Sequence, residues 1–286
     1  MSKTHVGISG WRYPPWRGRF YPEHLRQKDE LSFAASQFST IEINGTFYSL
    51  QRPSSFATWY DAVPRNFVFA VKGPRYITHM RRLKAVKTPL ANFFASGVLR
   101  LAEKLGPILW QLPPNFTFQP DTLASFFETL PRDTDSAALL AREHDTKIKS
   151  RAWLQNDRNR RLRHALEIRH DSYRDETFIK LLRKYEIGLV VADTVEWPLL
   201  MDATADFVYV RLHGSRELYA SGYGPGVLDI WAQRIRAWTA GREAKGPHAG
   251  PPASKRKRDV YVYFDNDIKV RAPFDALVLK KKLGAG

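Results

Sequence analysis

The chain contains no cysteine, which excludes disulfides, iron–sulfur clusters, thiolate zinc sites and cysteine nucleophiles. Long apolar runs are missing as well, since no stretch approaches the eighteen or so consecutive apolar residues of a membrane-spanning helix. Residues 1–11 lack the positive end and the apolar run of a secretory signal. We therefore expect a cytoplasmic protein without membrane contact, in which only His, Asp or Glu can hold a metal.

Acidic residues are scarce beside basic ones: 29 Asp and Glu face 45 Lys and Arg, which gives a formal net charge of +16. Such an excess concentrates anions around a protein, so the expected partner is an anionic small molecule or a nucleic acid. The simple solubility of a basic chain explains the charge equally well. The 286 residues are 43% hydrophobic and 13% aromatic, a composition that supports a packed core and argues against disorder.

Short runs of β-branched and aromatic residues alternate with segments of helical spacing along the chain. The predicted strands are 5–9, 40–44, 67–72, 108–112, 164–168, 188–192, 207–212 and 260–264. The predicted helices are 30–38, 54–63, 89–105, 121–130, 175–185, 228–239 and 272–283. Such repeated βα units favour parallel pairing with right-handed crossovers, so we predict an α/β fold, a (β/α)8 TIM barrel that forms a single domain over 1–286. An open doubly wound sheet is the alternative.

Three stretches depart from this period. The crossover between Asp193 and Asp206 is short and contains Trp197-Pro198, so we predict it to be irregular. A basic insertion at about 132–163 precedes the fifth strand, and 137–144 is predicted as an extra helix within it. A Gly- and Pro-rich loop at about 241–259, predicted to be flexible, precedes the eighth strand; its Lys-Arg-Lys-Arg run at 255–258 is either solvated or a contact for a phosphate backbone.

Polar residues stand at the carboxyl ends of the predicted strands, where barrels of this kind carry their chemistry. In 41–44 the alternation Ile-Glu-Ile-Asn places both polar side chains on one face, which we expect to point inwards. The full set is Ser9, Glu42, Asn44, Lys72, Gln111, Glu167, Arg169, His170, Asp193, Arg211, His213 and Asn266. One interpretation is mutual ion pairing that closes a polar barrel, because an unpaired buried charge is costly; the other is a ligand site at one mouth.

The residue types indicate separate roles within this set. The planar guanidinium of Arg binds phosphate or carboxylate oxygens in pairs, and the ammonium of Lys adds a compact positive charge. Lys72, Arg169 and Arg211 are therefore predicted to bind an anion. Further ligand contacts are predicted for Asn44, Gln111, His170 and Asn266, and Tyr48 and Trp11 either stack on a base or sugar or are simply buried. Glu42 or Glu167 is predicted as the general base and His213 or His170 as the general acid, with Asp193 as a further catalytic candidate.

A metal site is a separate possibility. Its candidate ligands are Glu42, His79, Glu167, His170, Asp193 and His213. Six ligands are barely enough for a three-zinc phosphodiesterase, and the cations Lys72, Arg169 and Arg211 among them oppose a cluster of divalent ions. A single divalent metal is the alternative, and the sequence requires no cofactor.

Several motifs occur in order along nearly the whole chain. They are Gly7-Ile-Ser-Gly-Trp-Arg-Tyr13, Trp16, Phe20-Tyr21-Pro22, Ile41-Glu-Ile-Asn-Gly-Thr-Phe-Tyr48, Lys72, Ile77-Thr-His79, Gln111-Leu-Pro-Pro114, Leu166-Glu-Ile-Arg-His170, Asp193, Tyr209-Val-Arg-Leu-His-Gly214 and Tyr263-Phe-Asp-Asn266. Together they strongly resemble the DUF72 (YecE-like) family. The resemblance implies a TIM barrel in a family without an established reaction.

In overall shape that family is similar to the endonuclease IV-like barrels, which bind DNA and cut at phosphates using metal; this is an analogy of fold. Two features depart from the family pattern. The basic insertion is expected to enlarge the fifth βα loop. The last motif continues as Asp265-Asn266-Asp267 where the family often shows two adjacent Asn.

Three classes of function follow from these observations. The favoured one is a hydrolase- or lyase-type enzyme that binds a phosphate-bearing or other anionic ligand at the mouth of the barrel. The second is an endonuclease IV-like, metal-dependent phosphodiesterase or repair protein. The third is a non-catalytic module that binds anions or RNA. A steep fall of nucleic-acid affinity with salt distinguishes the last two classes from the first.

Overall fold

Eight parallel strands close into a barrel in the computed structural model, which describes residues 2–148 and 151–284. In chain order they are β1 Thr4–Ser9, β2 Thr40–Ile43, β3 Val68–Lys72, β4 Leu105–Gln111, β5 His164–Glu167, β6 Gly188–Asp193, β7 Phe207–Leu212 and β8 Asp259–Phe264. Each strand pairs with the next in the chain, and β1 also pairs with β8, which closes the ring. The predicted (β/α)8 barrel is confirmed, and the open doubly wound sheet is wrong.

Helices connect the strands on the outside of the barrel. They are α1 Glu30–Gln37, α2 Gly45–Tyr48, α3 Pro53–Asp61, α4 Lys87–Ala95, α5 Pro120–Thr129, α6 Thr134–Ala141, α7 Glu176–Lys184, α8 Pro225–Thr239 and α9 Ala272–Leu283. The helix predicted over 89–105 is divided, because Gly97 takes a φ of 114° and the chain continues as a 3-10 helix, Val98–Lys104. Within the described ranges, no helix combines the length and the apolar character needed to cross a bilayer.

Several short helical turns were not predicted. Among them, helix α2 follows β2 directly, and Tyr76–Met80 forms a π-helical turn that carries His79. Between β6 and β7, the described residues 194–206 contain no helix, so the predicted irregular crossover is confirmed.

The basic insertion lies in the connection that leads from α5 into β5, and α6 within it packs against α4. Helix α6 begins at Thr134, earlier than predicted, because the Asp133 carboxylate accepts a hydrogen bond from the Ser136 amide and caps the helix. A connection that enters a strand does not belong to a βα loop. The expectation that the insertion enlarges the fifth βα loop is therefore wrong; positions 149 and 150 of the insertion lie outside the described residues.

The loop before β8 contains no helix or strand over residues 241–258. It is anchored to its surroundings: the Asp202 carboxylate accepts hydrogen bonds from the amides of Ala249 and Gly250, and buried Arg258 donates to the Ala205 carbonyl. Only 255–257 of the basic run are exposed, and they precede β8 at the amino end of the barrel. A phosphate backbone bound to this run would lie at the opposite end from the polar mouth.

Alternation along the strands separates an outer apolar layer from an inner one. The outward residues pack against the helices; they include Ile41, Ile43, Leu166, Ile168, Val210 and Leu212. The inward residues fill the lower barrel; they include Ala70, Leu109, Ala165, Val190, Tyr209, Tyr261 and Tyr263. At the carboxyl ends the inward positions become polar, as the period of two predicts. The apolar interior thus forms a floor beneath the polar groups of the mouth.

Candidate functional site

A buried arginine joins four strands at the carboxyl end of the barrel. Arg211 of β7 donates to Glu42 of β2 at 2.9 Å and 3.1 Å, and to Glu167 of β5 at 2.6 Å. It also donates at 2.7 Å to Asp265, which follows β8. We call these four residues the Arg211 cluster. The structure thus brings together Glu42, Glu167 and Arg211, three of the polar residues that the sequence places at strand ends.

Hydroxyl groups complete the coordination of Glu42. The Ser9 hydroxyl donates to one carboxylate oxygen and the Tyr209 hydroxyl to the other. Ser9 also accepts from the Asn44 amide at 2.9 Å, which places Asn44 at the edge of the cluster. Both oxygens of Glu42 are therefore occupied, and the residue is better placed to orient Arg211 than to accept a substrate proton.

Two carboxylates of the cluster, those of Glu167 and Asp265, are held in their ionised form. Burial raises the pKa of Glu167, but the neighbouring Arg211 and Arg169 outweigh burial and hold that pKa well below 4.5. Burial also acts upward on Asp265, and Arg211 followed by His213 keeps its pKa below the ordinary 3.8. The three carboxylates in turn overcome the burial of Arg211 and raise its pKa well above the ordinary value of a guanidinium. The expected role of Glu167 as general base is weakened, because a carboxylate of such low pKa is a poor proton acceptor.

Arg169 lies at the rim of the cluster. Its Nε and Nη2 atoms approach the Glu167 carboxylate at 2.8 Å and 2.7 Å, and its guanidinium carbon lies 3.7 Å from the centre of the Trp197 ring. Nη2 also donates to the Tyr219 hydroxyl at 3.3 Å. Among the described residues, the third nitrogen, Nη1, has no acceptor, and 10% of the side chain is exposed. This edge of the guanidinium faces the mouth with hydrogens to donate.

Lys72 ends β3 on the inward face of the barrel. Its Nζ atom lies 4.3 Å from the centre of the Phe47 ring, and within the described ranges no acceptor lies within hydrogen-bonding distance of it. Burial, followed by the positive charge of Arg211, lowers the pKa of Lys72 to about 8. The residue is only 8% exposed, so the amine is largely desolvated.

His213 lies beneath the mouth, with its ring edge-on to Trp197 and Tyr219. Its Nδ1 atom is 3.1 Å from Asp265 Oδ2, but the direction there is not that of a hydrogen bond, and Nδ1 has no partner in the described structure. Burial and then Arg211 lower the pKa of His213, so the imidazole is neutral near pH 7. Neutral imidazole lacks the proton that the predicted general acid would donate.

Two acidic residues of the site were missing from the predicted set, Asp265 and Asp267. Period two already places them on the inward face, because they continue the series Tyr261, Tyr263. Burial, followed by the negative charge of Asp265, raises the pKa of Asp267 to about 8, so this carboxyl group keeps its proton near pH 7. The Asp267 carboxyl group lies close to the Tyr13 hydroxyl, but its Oδ1 atom has no hydrogen-bond partner in the described structure.

Three predicted site residues lie outside the cluster and connect structural elements. Asp193 faces outward from β6, where its carboxylate accepts from Trp231 Nε1 at 3.1 Å. His170 caps the 3-10 turn Asp171–Tyr173 by accepting from the Ser172 amide. The Asn266 amide donates to the Ser221 carbonyl and to Asp275. The structure therefore does not bring Asp193, His170 or Asn266 to the mouth as binding groups.

The remaining predicted residues have mixed positions. Trp11 is buried and packs edge-on against Trp59, which favours core packing over stacking on a ligand. Tyr48 is 69% exposed, with the Arg75 guanidinium 5.8 Å from its ring centre. Gln111 lies beside Glu167 in the register of β4 and β5, buried on the inward face.

The metal candidates are not assembled for coordination. In the described ranges, no three His, Asp or Glu side chains form a group that could hold a metal ion. Glu42 and Glu167 face Arg211, and His79 bonds to the Thr78 hydroxyl through Nδ1. Burial and then Arg169 lower the pKa of His79 to about 4. The donor set therefore does not fit the three-zinc centre considered from the sequence.

The fold and site define the class of the protein: a (β/α)8 barrel whose carboxyl-end mouth contains a buried cluster of ion pairs. Residues 5–286 match the family described as "Protein of unknown function DUF72". The chain belongs to the DUF72 family, and the resemblance inferred from its motifs is confirmed.

Curated relatives extend this result over part of the chain. The UPF0759 protein YecE of Escherichia coli (strain K12) is 28% identical over 131 residues, 44% of each protein. The UPF0759 protein YunF of Bacillus subtilis (strain 168) is 24% identical over 125 residues, 42% of this chain and 43% of the relative. The matches thus span less than half the length of these relatives.

Solved structures cover the whole fold. A DUF72 family protein from Thermotoga maritima aligns with a TM-score of 0.74 at 24% identity, over 99% of both chains. A DUF72 family protein from Enterococcus faecalis aligns with a TM-score of 0.70 at 17% identity, over 99% of this chain and 96% of the other. At these identities the likeness shows the fold alone.

Proposed function

We propose that the protein is an enzyme that binds a small molecule with a phosphate or carboxylate group at the carboxyl-end mouth and acts on it by acid–base chemistry. One observation carries the proposal. Each carboxylate of the Arg211 cluster is paired with Arg211, whereas Arg169 and Lys72 keep N–H groups without an acceptor in the described structure. Although Arg169 is also paired with Glu167, within the described residues its Nη1 atom and the Lys72 amine therefore lack an acceptor, which an anionic ligand supplies.

Arg211 has a different role from the one expected at first. Its guanidinium N–H groups already donate to three carboxylates. Arg211 therefore positions Glu42, Glu167 and Asp265 and does not itself bind the ligand. Arg169 is the primary anion contact, because Nη1 and part of the guanidinium edge are open at the rim. Lys72 adds a second positive charge deeper in the mouth.

The general acid and base are the groups of the site that exchange protons near neutral pH. Asp267 and Lys72 both have a pKa of about 8, and both lie around the Arg211 cluster. Asp267 is the carboxyl group that holds a proton to donate at pH 7. These two replace the candidates expected from the sequence, Glu42 or Glu167 as base and His213 or His170 as acid; the pKa values of Glu167 and His213 are both lowered.

The binding step is tested by calorimetric titration with inorganic phosphate and pyrophosphate at pH 7. We expect Arg169→Met and Lys72→Met each to weaken binding about tenfold or more, the loss of one charge-assisted contact of about 1.5–3 kcal/mol. Lys257→Met removes an equal charge from the exposed run at the far end of the barrel and should bind normally. Equal affinity in all four proteins would remove the basis of the proposal.

The catalytic step requires turnover. We expect NMR to detect conversion of at least one member of a panel of phosphorylated and carboxylated metabolites, and Asp267→Asn to abolish that conversion while phosphate still binds. Binding without turnover across the panel would indicate the third class, a non-catalytic anion-binding module.

A further inference from the structure

We propose that Lys72 is a nucleophile, whose amine forms an imine with a small aldehyde or ketone that carries a phosphate or carboxylate group. This inference rests on the proposed function for the anion contact at Arg169, and it adds a covalent step and a substrate class. It begins from the position of the Lys72 amine.

The backbone holds Lys72 firmly at the mouth. Its carbonyl accepts a hydrogen bond from the Thr46 hydroxyl at 2.6 Å, and the next amide, that of Gly73, donates to the Leu109 carbonyl at 2.7 Å. A Cβ atom at Gly73 would lie 2.3 Å from the Trp110 ring, so the chain can pass this point only as glycine. The amine is thus presented from a rigid strand end, which is the placement that a reacting group requires.

A second buried lysine, Lys104, makes the hydrogen bonds expected of a lysine with a structural role, and Lys72 can be compared with it. Lys104 is also buried, and its amine donates to the carbonyls of Tyr60 and Val63 at 2.6 Å and 2.8 Å. The Lys72 amine has no such acceptors in the described structure, although three carboxylates lie nearby. Those carboxylates are paired with Arg211. An amine kept desolvated and without an acceptor lowers the stability of the fold and is free to react.

The surroundings also make the amine available in its reactive form. At its pKa of about 8, roughly a tenth of Lys72 is unprotonated at pH 7, against about one part in three thousand for an amine of pKa 10.5. Desolvation and a neighbouring cation, here Arg211, are the two means by which lysine nucleophiles are activated.

The proposed step balances without a further reactant. The lone pair of the amine attacks the carbonyl carbon, the C–O π bond opens, and a carbinolamine forms. Both amine hydrogens then leave with the carbonyl oxygen as water, and the C=N bond of the imine remains. No electrons are gained or lost, and water hydrolyses the imine by the reverse path.

Two aldehyde probes test the inference on the full-length protein. Pyridoxal 5′-phosphate carries an aldehyde and a phosphate, and pyridoxal carries the aldehyde alone. After incubation at pH 7, borohydride reduces any imine to a stable secondary amine, and peptide mass spectrometry locates it. We expect Lys72 to be modified about tenfold faster than exposed Lys257, and faster by the phosphorylated probe. Lys72→Arg keeps the charge but should remove this label; circular dichroism confirms that the variant is folded.

The outcomes separate the two proposals. Faster labelling of Lys72 by the phosphorylated probe, lost in Arg169→Met, supports both. Equal labelling of Lys72 by both probes, without phosphate binding in the calorimeter, supports the nucleophile and refutes the anion contact. If Lys72 stays unmodified while exposed lysines react, the nucleophile is refuted, and phosphate binding that depends on Arg169 leaves the proposed function standing.

Discussion

Replacing Arg211 with methionine removes the positive charge that Glu42, Glu167 and Asp265 share in the barrel. All three carboxylates then face one another in a desolvated space, with only Arg169 and Lys72 left to offset them. Breaking a buried ion pair by removing one partner costs about 3–5 kcal/mol. Because three carboxylates lose a partner, we expect a loss of about 5 kcal/mol at pH 8, a large part of a typical free energy of unfolding of about 5–15 kcal/mol.

The pH dependence of the variant has a defined sign. In the wild type, Glu167 and Asp265 have lowered pKa values, so their stabilisation is present above about pH 4.5 and is lost as the pH falls below it. Without Arg211, burial and mutual repulsion raise those pKa values above the unfolded ones. The stability of Arg211→Met should therefore decrease more steeply than that of the wild type as the pH rises from 5 to 8; the wild type itself declines over that range, because the pKa of Asp267 is raised to about 8.

Urea unfolding followed by tryptophan fluorescence measures both effects, since the chain has eight tryptophans. Arg161→Met is the matched control: it removes a half-exposed arginine that pairs with Glu186 and Asp206, and it should cost less than about 1 kcal/mol. A loss below about 1 kcal/mol in Arg211→Met, or a stability that falls no more steeply than that of the wild type between pH 5 and 8, would show that the cluster is not held by this charge.

Three further predictions concern single groups of the site. Lys72→Met should stabilise the fold at pH 7 by up to about 3 kcal/mol, the equivalent of lowering the pKa from 10.5 to about 8, and urea unfolding should show this gain fading between pH 8 and 10.5. The raised pKa of Asp267 means that its stabilisation is present below about pH 4 and is lost progressively up to pH 8, so the excess of the unfolding free energy of Asp267→Asn over that of the wild type should grow from pH 4 to 8 and level off above it; a constant difference would contradict this. Asp193→Asn, which alters the contact with Trp231, should leave phosphate affinity unchanged in calorimetry, and a tenfold loss would return Asp193 to the site.

Comparison with the sequence predictions shows where local pattern was sufficient. The alternation in 41–44 placed Glu42 inward and Ile41 and Ile43 outward, and the repeated βα period led to the closed barrel. Asp193 shows that a predicted side-chain direction is reversed by a shift of one residue, because successive residues of a strand point to opposite faces of the sheet. Its neighbour Ala192 faces inward, so the carboxylate reaches Trp231 on the helix side.

The choice of partners within the mouth could not be read from spacing. Arg211, Arg169 and Lys72 look alike as inward cations at strand ends, and the sequence assigned all three to an anion. In the structure, all three carboxylates accept hydrogen bonds from Arg211, and Lys72 has no acceptor among the described residues. That assignment depends on ångström distances between strands that lie far apart in the chain.

The sequence by itself determined the barrel, the inward faces of its strands and the polar character of one mouth, because these follow from periodicities of two and 3.6 residues that act over short stretches of chain. Only the tertiary structure decided which charged groups pair with one another and which keep N–H groups without an acceptor among the described residues. Burial and Coulomb interaction depend on distances across the closed ring, and those distances exist only once all eight strands have met.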